Sequence, residues 1–327
     1  MKPALSVIFF TVLSGAGFGL WALLGGALAL GVYPPGRANV LAPLAIGFAF
    51  ASAGLLSSTL HLGRPARAWR AFSQWDSSWL SREGLASMAT YLPMFAVAGL
   101  VRGEHRFIPT RIAAALLCAC ALATLFCTAR IYTSLKPIAA WRDARVLPSY
   151  LLLGLWSGGL WLWAYLAFNP GLLAFPFALG LLLVAMTAAG LKLGYWKRID
   201  LLRGNDTGHA TGLDRIGAVR AFDGPSTEET YLTREMAFVL ARKHARRLRG
   251  LALTLFFVAP ALLLVAALVR PVAQRGCATA AAVSCIAGLF VERWLFFAQA
   301  RHAVASFFAI APGREDQKAA LNGRTFK

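Results

Sequence analysis

The sequence predicts an all-α integral membrane protein of eight transmembrane helices. Two observations carry this. Of its 327 residues, 58% are hydrophobic and only 14% charged, whereas soluble domains carry about 25% charged residues. The apolar residues also fall into eight runs, at 4–30, 40–62, 85–101, 111–132, 147–168, 171–195, 251–268 and 277–298. Each is close to the ~20 residues that a spanning helix needs. The chain therefore reads as one transmembrane domain, 1–327, without internal repeats.

The first run is too long for a signal-peptide core and lacks a clear cleavage pattern, so it is read as a helix. Within it, Gly15 and Gly19 form a small-xxx-small pair that lets a neighbouring helix approach closely. The second run ends at His61, and Glu83 opens the third. The fourth ends at Arg130 and Tyr132. Asn169-Pro170 alone joins the fifth and sixth, which predicts a tight helical hairpin. Residues 196–249 are the one sizeable polar stretch. Its first half, rich in Gly, Asp and Asn, reads as irregular. Ser226-Thr227-Glu228-Glu229 reads as a helix start, and 230–249 as a surface helix with a basic end. Such a helix suits anionic headgroups or a partner subunit. The eighth run closes on Glu292 and Arg293, followed by Gln299, Arg301 and His302.

The net charge of +19 does not point to nucleic acid, because the basic residues sit at span ends and in connections. Eight spans place both termini on one side. That side, with its connections and span ends, holds 27 of the 33 Lys and Arg, against 6 on the other. Leaving out the long 6–7 connection still gives 15 against 6. By the positive-inside rule both termini, the 197–249 loop and the neighbourhood of His61 and Glu83 are cytoplasmic.

Residues 57–84 organise the rest. Between two apolar runs they hold His61, Arg64, Arg67, Arg70, Asp76, Arg82 and Glu83. Ionisable groups at membrane depth are costly and point to function. A His and a Glu at the ends of neighbouring helices can reach one cavity, where a lipid-soluble ligand such as a quinone meets water-borne protons. His61 reads either as a donor to a quinone carbonyl or as an interfacial His bonded to the backbone. Glu83 reads either as a proton carrier or as the partner of Arg82 or Arg64 near a helix start, and both arginines count with it as candidates for the quinone site. Tyr132 reads as a hydrogen-bond donor to the same ligand or as an aromatic-belt residue. Arg130, Glu292 and Arg293 are secondary candidates, Glu292 and Arg293 foremost as an internal ion pair. The basic residues Arg67, Arg70, Lys136, Arg142 and Arg145 read as a docking rim for a partner.

The five histidines, at 61, 105, 209, 244 and 302, lie away from span centres. This speaks against a haem held by two His ligands. The five cysteines lie inside apolar runs without C-x-x-C spacing and read as packing residues, not metal ligands. Electrons for a quinone would therefore come from another subunit.

Leu60-His61-Leu62-Gly63-Arg64-Pro65, then Ser78-Trp79-Leu80-Ser81-Arg82-Glu83, resemble the DmsC (NrfD-like) family of molybdoenzyme membrane anchors. Ala129-Arg130-Ile131-Tyr132 and Glu292-Arg293-Trp294-Leu295-Phe296-Phe297 extend the likeness over essentially the whole chain. The resemblance implies eight spans in a bacterial inner membrane and a haem-free anchor that binds ubiquinone or menaquinone. It implies two partners, a molybdopterin catalytic subunit and an iron–sulfur subunit, which hold the metal cofactors. It ties His61 and Glu83 to quinone binding. In the respiratory dimethyl sulfoxide reductases the quinone-site face is periplasmic; here the corresponding face is cytoplasmic. This suits the branch that anchors cytoplasmic sulfite dehydrogenases, in which sulfite electrons reach the quinone pool. The chain alone is then expected to catalyse nothing on sulfite. The alternatives are a quinol-oxidising anchor of a dimethyl sulfoxide reductase-type enzyme and, from another class, a polytopic transporter. A pair of broken helices with mid-membrane polar groups, which would favour a transporter, is missing.

Overall fold

The computed structural model describes residues 4–34, 36–59, 65–101, 107–168, 175–202, 211–217, 219, 244–300 and 303. They form eight long helices: α1 (Leu5–Leu30), α2 (Arg37–Thr59), α3 (Trp79–Leu100), α4 (Ile108–Thr133), α5 (Val146–Ala167), α6 (Phe175–Leu201), α7 (Ala245–Val269) and α8 (Gln274–Ala298). A 3₁₀ segment, Pro65–Gln74, leads into α3. Seven of the eight are long and apolar enough to cross a membrane. The other, α3, has 22 residues but carries Arg82 and Glu83 near its start. The chain is an all-helical, multi-pass membrane protein, and no strand occurs among the described residues.

Helix α1 is the hub. It packs against α2, α4, α5 and α8. It and α5 each bury 72% of their most apolar window, against 28% for α6. This fits sequence: α1 is apolar around its whole circumference, as a helix surrounded by others must be. One core cluster joins α1 to α2, α3 and α4, and a second joins α5 to α6, α7 and α8. The two meet where α1 crosses α5. There a Cβ on Gly19 would strike the Gly154 carbonyl, and one on Gly158 the Leu20 amide. Of the expected pair, Gly19 makes the close approach, while a Cβ on Gly15 would meet open space.

Successive helices run in opposite directions, so one end of the bundle gathers the starts of α1, α3, α5 and α7 and the ends of α2, α4, α6 and α8. Side chains mark the registration. The Ser57 hydroxyl donates to the Ser6 carbonyl at 2.9 Å. Arg249 forks onto Asp200 at 2.7 and 2.9 Å, tying α7 to α6. The connection 134–145 folds over this end, burying Ile138 and Trp141. The Trp141 indole donates to the Phe296 carbonyl at 3.3 Å. The Ala303 amide donates to the Pro137 carbonyl at 2.9 Å.

Two helices take charged residues of the expected connections into their first turns. Helix α3 begins at Trp79, behind the N-cap Ser78. Arg82 and Glu83 thus stand inside a helix and not ahead of it. Helix α7 begins at Ala245, so the last residues of the expected surface helix form the first turn of a span. Helix α6 is described from Phe175. The expected 169–170 hairpin, the helix-start motif 226–229 and most of the surface helix lie outside the described residues.

Candidate functional site

Helix α3 turns about 100° per residue, so Arg82 and Glu83 leave it in different directions. Arg82 reaches back over the connector. Its guanidinium donates to the Trp75 and Asp76 carbonyls and lies 4.4 Å from the Trp79 ring centroid. Arg130 of α4 covers the same ring at 4.9 Å. Glu83 instead enters the α3–α4 seam, where it is only 4% exposed. The Thr128 hydroxyl donates to Glu83 Oε1 at 3.3 Å. Among the described residues no cation pairs with Glu83, so the expected partnership with Arg82 does not form. Below it, Thr90 and Thr124 meet at 3.1 Å, and the Ser87 hydroxyl bonds the Gly84 carbonyl. Glu83, Ser87 and Thr90 share one stripe of α3 because helix neighbours recur at three- and four-residue steps.

A second buried charge cluster lies at the same end, between α6 and α8. Glu292 pairs with Arg293, Nε to Oε2 at 3.4 Å, and with Lys192. All three are at most 3% exposed. Aromatic rings enclose them. The Arg293 guanidinium lies 3.8 Å from the Tyr150 centroid, and Lys192 Nζ lies 4.5 Å from that of Tyr195. Tyr132 belongs here, stacked on Tyr150 at 5.4 Å and edge-on to Trp141, Phe296 and Phe297. It is 7% exposed and core-packed, not part of an interfacial belt.

A small cavity lies between the two clusters. Thr11, Ser14, Gly15, Leu125, Thr128, Tyr150, Leu153, Gly154, Leu289 and Arg293 line it. The structure thus brings Glu83, through Thr128, to the same cavity as Arg293. It sets Arg82 and Arg130 apart, on Trp79. Of the docking candidates, Arg67, Arg70, Lys136 and Arg142 are exposed, while Arg145 pairs with Asp143 at 3.0 Å. His61 and Arg64 lie outside the described residues.

Comparison with known proteins adds the lineage. The family DMSO reductase anchor subunit (DmsC) matches residues 1–298. The chain belongs to the DmsC family. A relative from Allochromatium vinosum, named as a subunit of sulfite dehydrogenase, is 33% identical over 326 residues, covering 92% of this chain and 97% of that one. No solved structure gives a significant match. For a DmsC anchor, the buried residues that sequence reasoning passed over are Lys192, Thr128 and Tyr150. Lys192 had a signal: a lone cation inside an apolar run, at the same end as Glu292. Thr128 and Tyr150 had none, because Thr and Tyr are ordinary in such runs.

Proposed function

We propose that the chain is the quinone-reactive membrane anchor of a sulfite-oxidising molybdoenzyme. It would pass electrons from cytoplasmic sulfite oxidation to the membrane quinone pool and take up cytoplasmic protons. The observation that carries this is Glu83: a carboxyl buried at the basic end of the bundle, bonded to a hydroxyl and unpaired with any described cation. A structural carboxyl would be matched by a charge; one that exchanges protons need not be. Family membership and the sulfite dehydrogenase relative favour this reading, and the charge asymmetry favours a cytoplasmic face for it.

A quinone accepts two electrons and two protons and leaves as a quinol. A buried carboxyl beside a hydroxyl fits that need for a proton partner. Glu83 holds and gives up the proton at its carboxyl oxygens, and Thr128 orients them. His61, at the end of the preceding apolar run, is assigned the donor to the ligand carbonyl, imidazole being a common proton donor at neutral pH. Tyr132 and Arg293 stand behind the site. Electrons arrive from an iron–sulfur subunit seated on the exposed arginines and Lys136, and the molybdopterin subunit lies beyond it.

The test is a pair of variants. Removing a positioned proton donor costs about 10²–10⁴-fold in rate. His61→Ala and Glu83→Gln are therefore expected to leave assembly and sulfite oxidation with a soluble dye intact, and to abolish quinone-linked turnover. Near wild-type quinone reduction in both would place the site elsewhere.

A further inference from the structure

The 3₁₀ segment ahead of α3 repeats its chemistry every three residues. A 3₁₀ helix has three residues per turn, so side chains at i and i+3 fall in one row. Trp69 and Phe72 share a row, and Trp75, just past the end of the segment, keeps the spacing. Arg67 and Arg70 form a second row, about a third of a turn away. Both rows are exposed, Trp69 by 65% and Trp75 by 61%. Large apolar side chains gathered on one side and left uncovered mark a contact surface.

The place of the aromatic row says what it touches. Among the described residues the segment packs chiefly on α3. The Phe72 ring lies over Gly84, where a Cβ would come within 3.0 Å of it. The Arg82 guanidinium holds the Trp75 and Asp76 carbonyls. Gly84 belongs to a stripe of α3 that recurs at four- and three-residue steps: Leu80, Gly84, Met88, Leu92 and Phe95. Its four large side chains are exposed, and they face away from the buried stripe of Glu83, Ser87 and Thr90. An exposed apolar face of a spanning helix is matched by lipid chains, which are as apolar as leucine. The aromatic row therefore continues the lipid-facing stripe past the start of the helix. With 22 residues, α3 is about 33 Å long, against a hydrocarbon layer of about 30 Å. Its start stands at the edge of that layer, and the connector stands at headgroup level.

We propose that Trp69, Phe72 and Trp75 form a lipid-contact surface, seated among the phospholipid headgroups beside α3. Tryptophan suits that layer, with an apolar body and one polar N–H. The arginine row, a third of a turn away, is left to the partner subunit. Arg70 links the two rows, its guanidinium 5.6 Å from the Trp69 ring centroid. The aromatic row sets the depth at which α3 begins, and with it the depth of Arg82 and Glu83 in the first two turns.

A protein partner is the other covering that such a row suits, because Trp and Arg are frequent at the centres of interfaces. Two observations favour lipid. Through Phe72 and Gly84 the row joins the exposed apolar face of α3, which runs the length of the membrane. The docking candidates Lys136 and Arg142 belong to another connection, which lies against α8 through Trp141. The inference goes beyond the proposed function and does not rest on it.

The test uses the whole complex in its own membranes. Benzoylphenylalanine, a photoreactive aromatic residue, replaces Trp69 or Trp75 in turn, and Leu92 as the reference for a lipid-facing site. On illumination, positions 69 and 75 are each expected to give a peptide heavier by one phospholipid, in a yield within a few-fold of that at position 92. A crosslink to a partner subunit at either position overturns the proposal, as does the absence of a lipid adduct at either. Partner retention supplies the second readout. Trp69→Ser combined with Trp75→Ser is expected to keep the partner subunits bound to within about twofold of wild type. Truncating a tryptophan at the centre of a protein interface weakens binding by about tenfold or more, and a loss of that size overturns the assignment to lipid.

Discussion

Arg82 and Glu83 are adjacent in sequence and do opposite work. One step along α3 turns Arg82 to solvent-side carbonyls and a tryptophan ring, and Glu83 into the seam with α4. The geometry gives Arg82 the task of fastening the connector to the start of α3. Half-exposed contacts of this kind contribute modestly, because water competes for them. Arg82→Gln is therefore expected to keep quinone-linked turnover within a few-fold of wild type in the same steady-state assay in which Glu83→Gln abolishes it. A collapse equal to that of Glu83→Gln would return Arg82 to the site.

At the scale of elements, α2 and α7 handle a proline by one device. Proline has no N–H, so the carbonyl one turn earlier loses its partner. In α2, Pro43 frees the Asn39 carbonyl, and the Tyr33 hydroxyl donates to it at 2.9 Å. In α7, a π turn at Thr254–Val258 gives the Ala259 amide to the Thr254 carbonyl, and Pro260 follows. The carbonyls of Leu255 and Phe256 then accept from the Ser284 hydroxyl at 2.9 Å and the Trp156 indole at 2.8 Å. These side chains come from α8 and α5, so the irregular turn pins three helices together beside the buried cluster. An unpaired buried carbonyl costs about 1–3 kcal/mol. Trp156→Phe is expected to destabilise the complex by about that much, measured by denaturant or heat. The loss is expected to be smaller in a Pro260→Ala background, where the new amide can satisfy the carbonyl. Equal losses in the two backgrounds would show that the indole acts only by filling space.

At the scale of the molecule, function depends on sidedness. Among the described residues, every buried charge and every docking candidate gathers at the end that holds the starts of α3 and α7. If that end is cytoplasmic, a reporter active only in the periplasm and fused after Lys327 is expected to be silent. Strong activity there would invert the molecule, place Glu83 on the periplasmic face, and favour a reductase anchor over a sulfite-oxidising one. The connection 134–145 is folded over this end through Trp141, and it is the surface proposed above for a partner.

The class, the number of helices and the end of the bundle at which the described buried charges gather are all legible in the residues. They follow from local quantities: the length of each apolar run against bilayer thickness, and the place of each charge along it. Glu83 stands out in the same way, because a carboxylate at the edge of an apolar run is conspicuous wherever it points. What each group faces is settled by packing instead. That Glu83 meets Thr128 and not Arg82, that Lys192 joins Glu292, and that Tyr132 is packed in the core all depend on how each helix is rotated about its own axis. In a bilayer the rotation leaves little trace in the sequence, because lipid-facing and protein-facing positions are both apolar and the usual polar stripe is missing. Close approach fixes it, at places such as Gly19 against Gly154, where two backbones touch and one rotation alone fits.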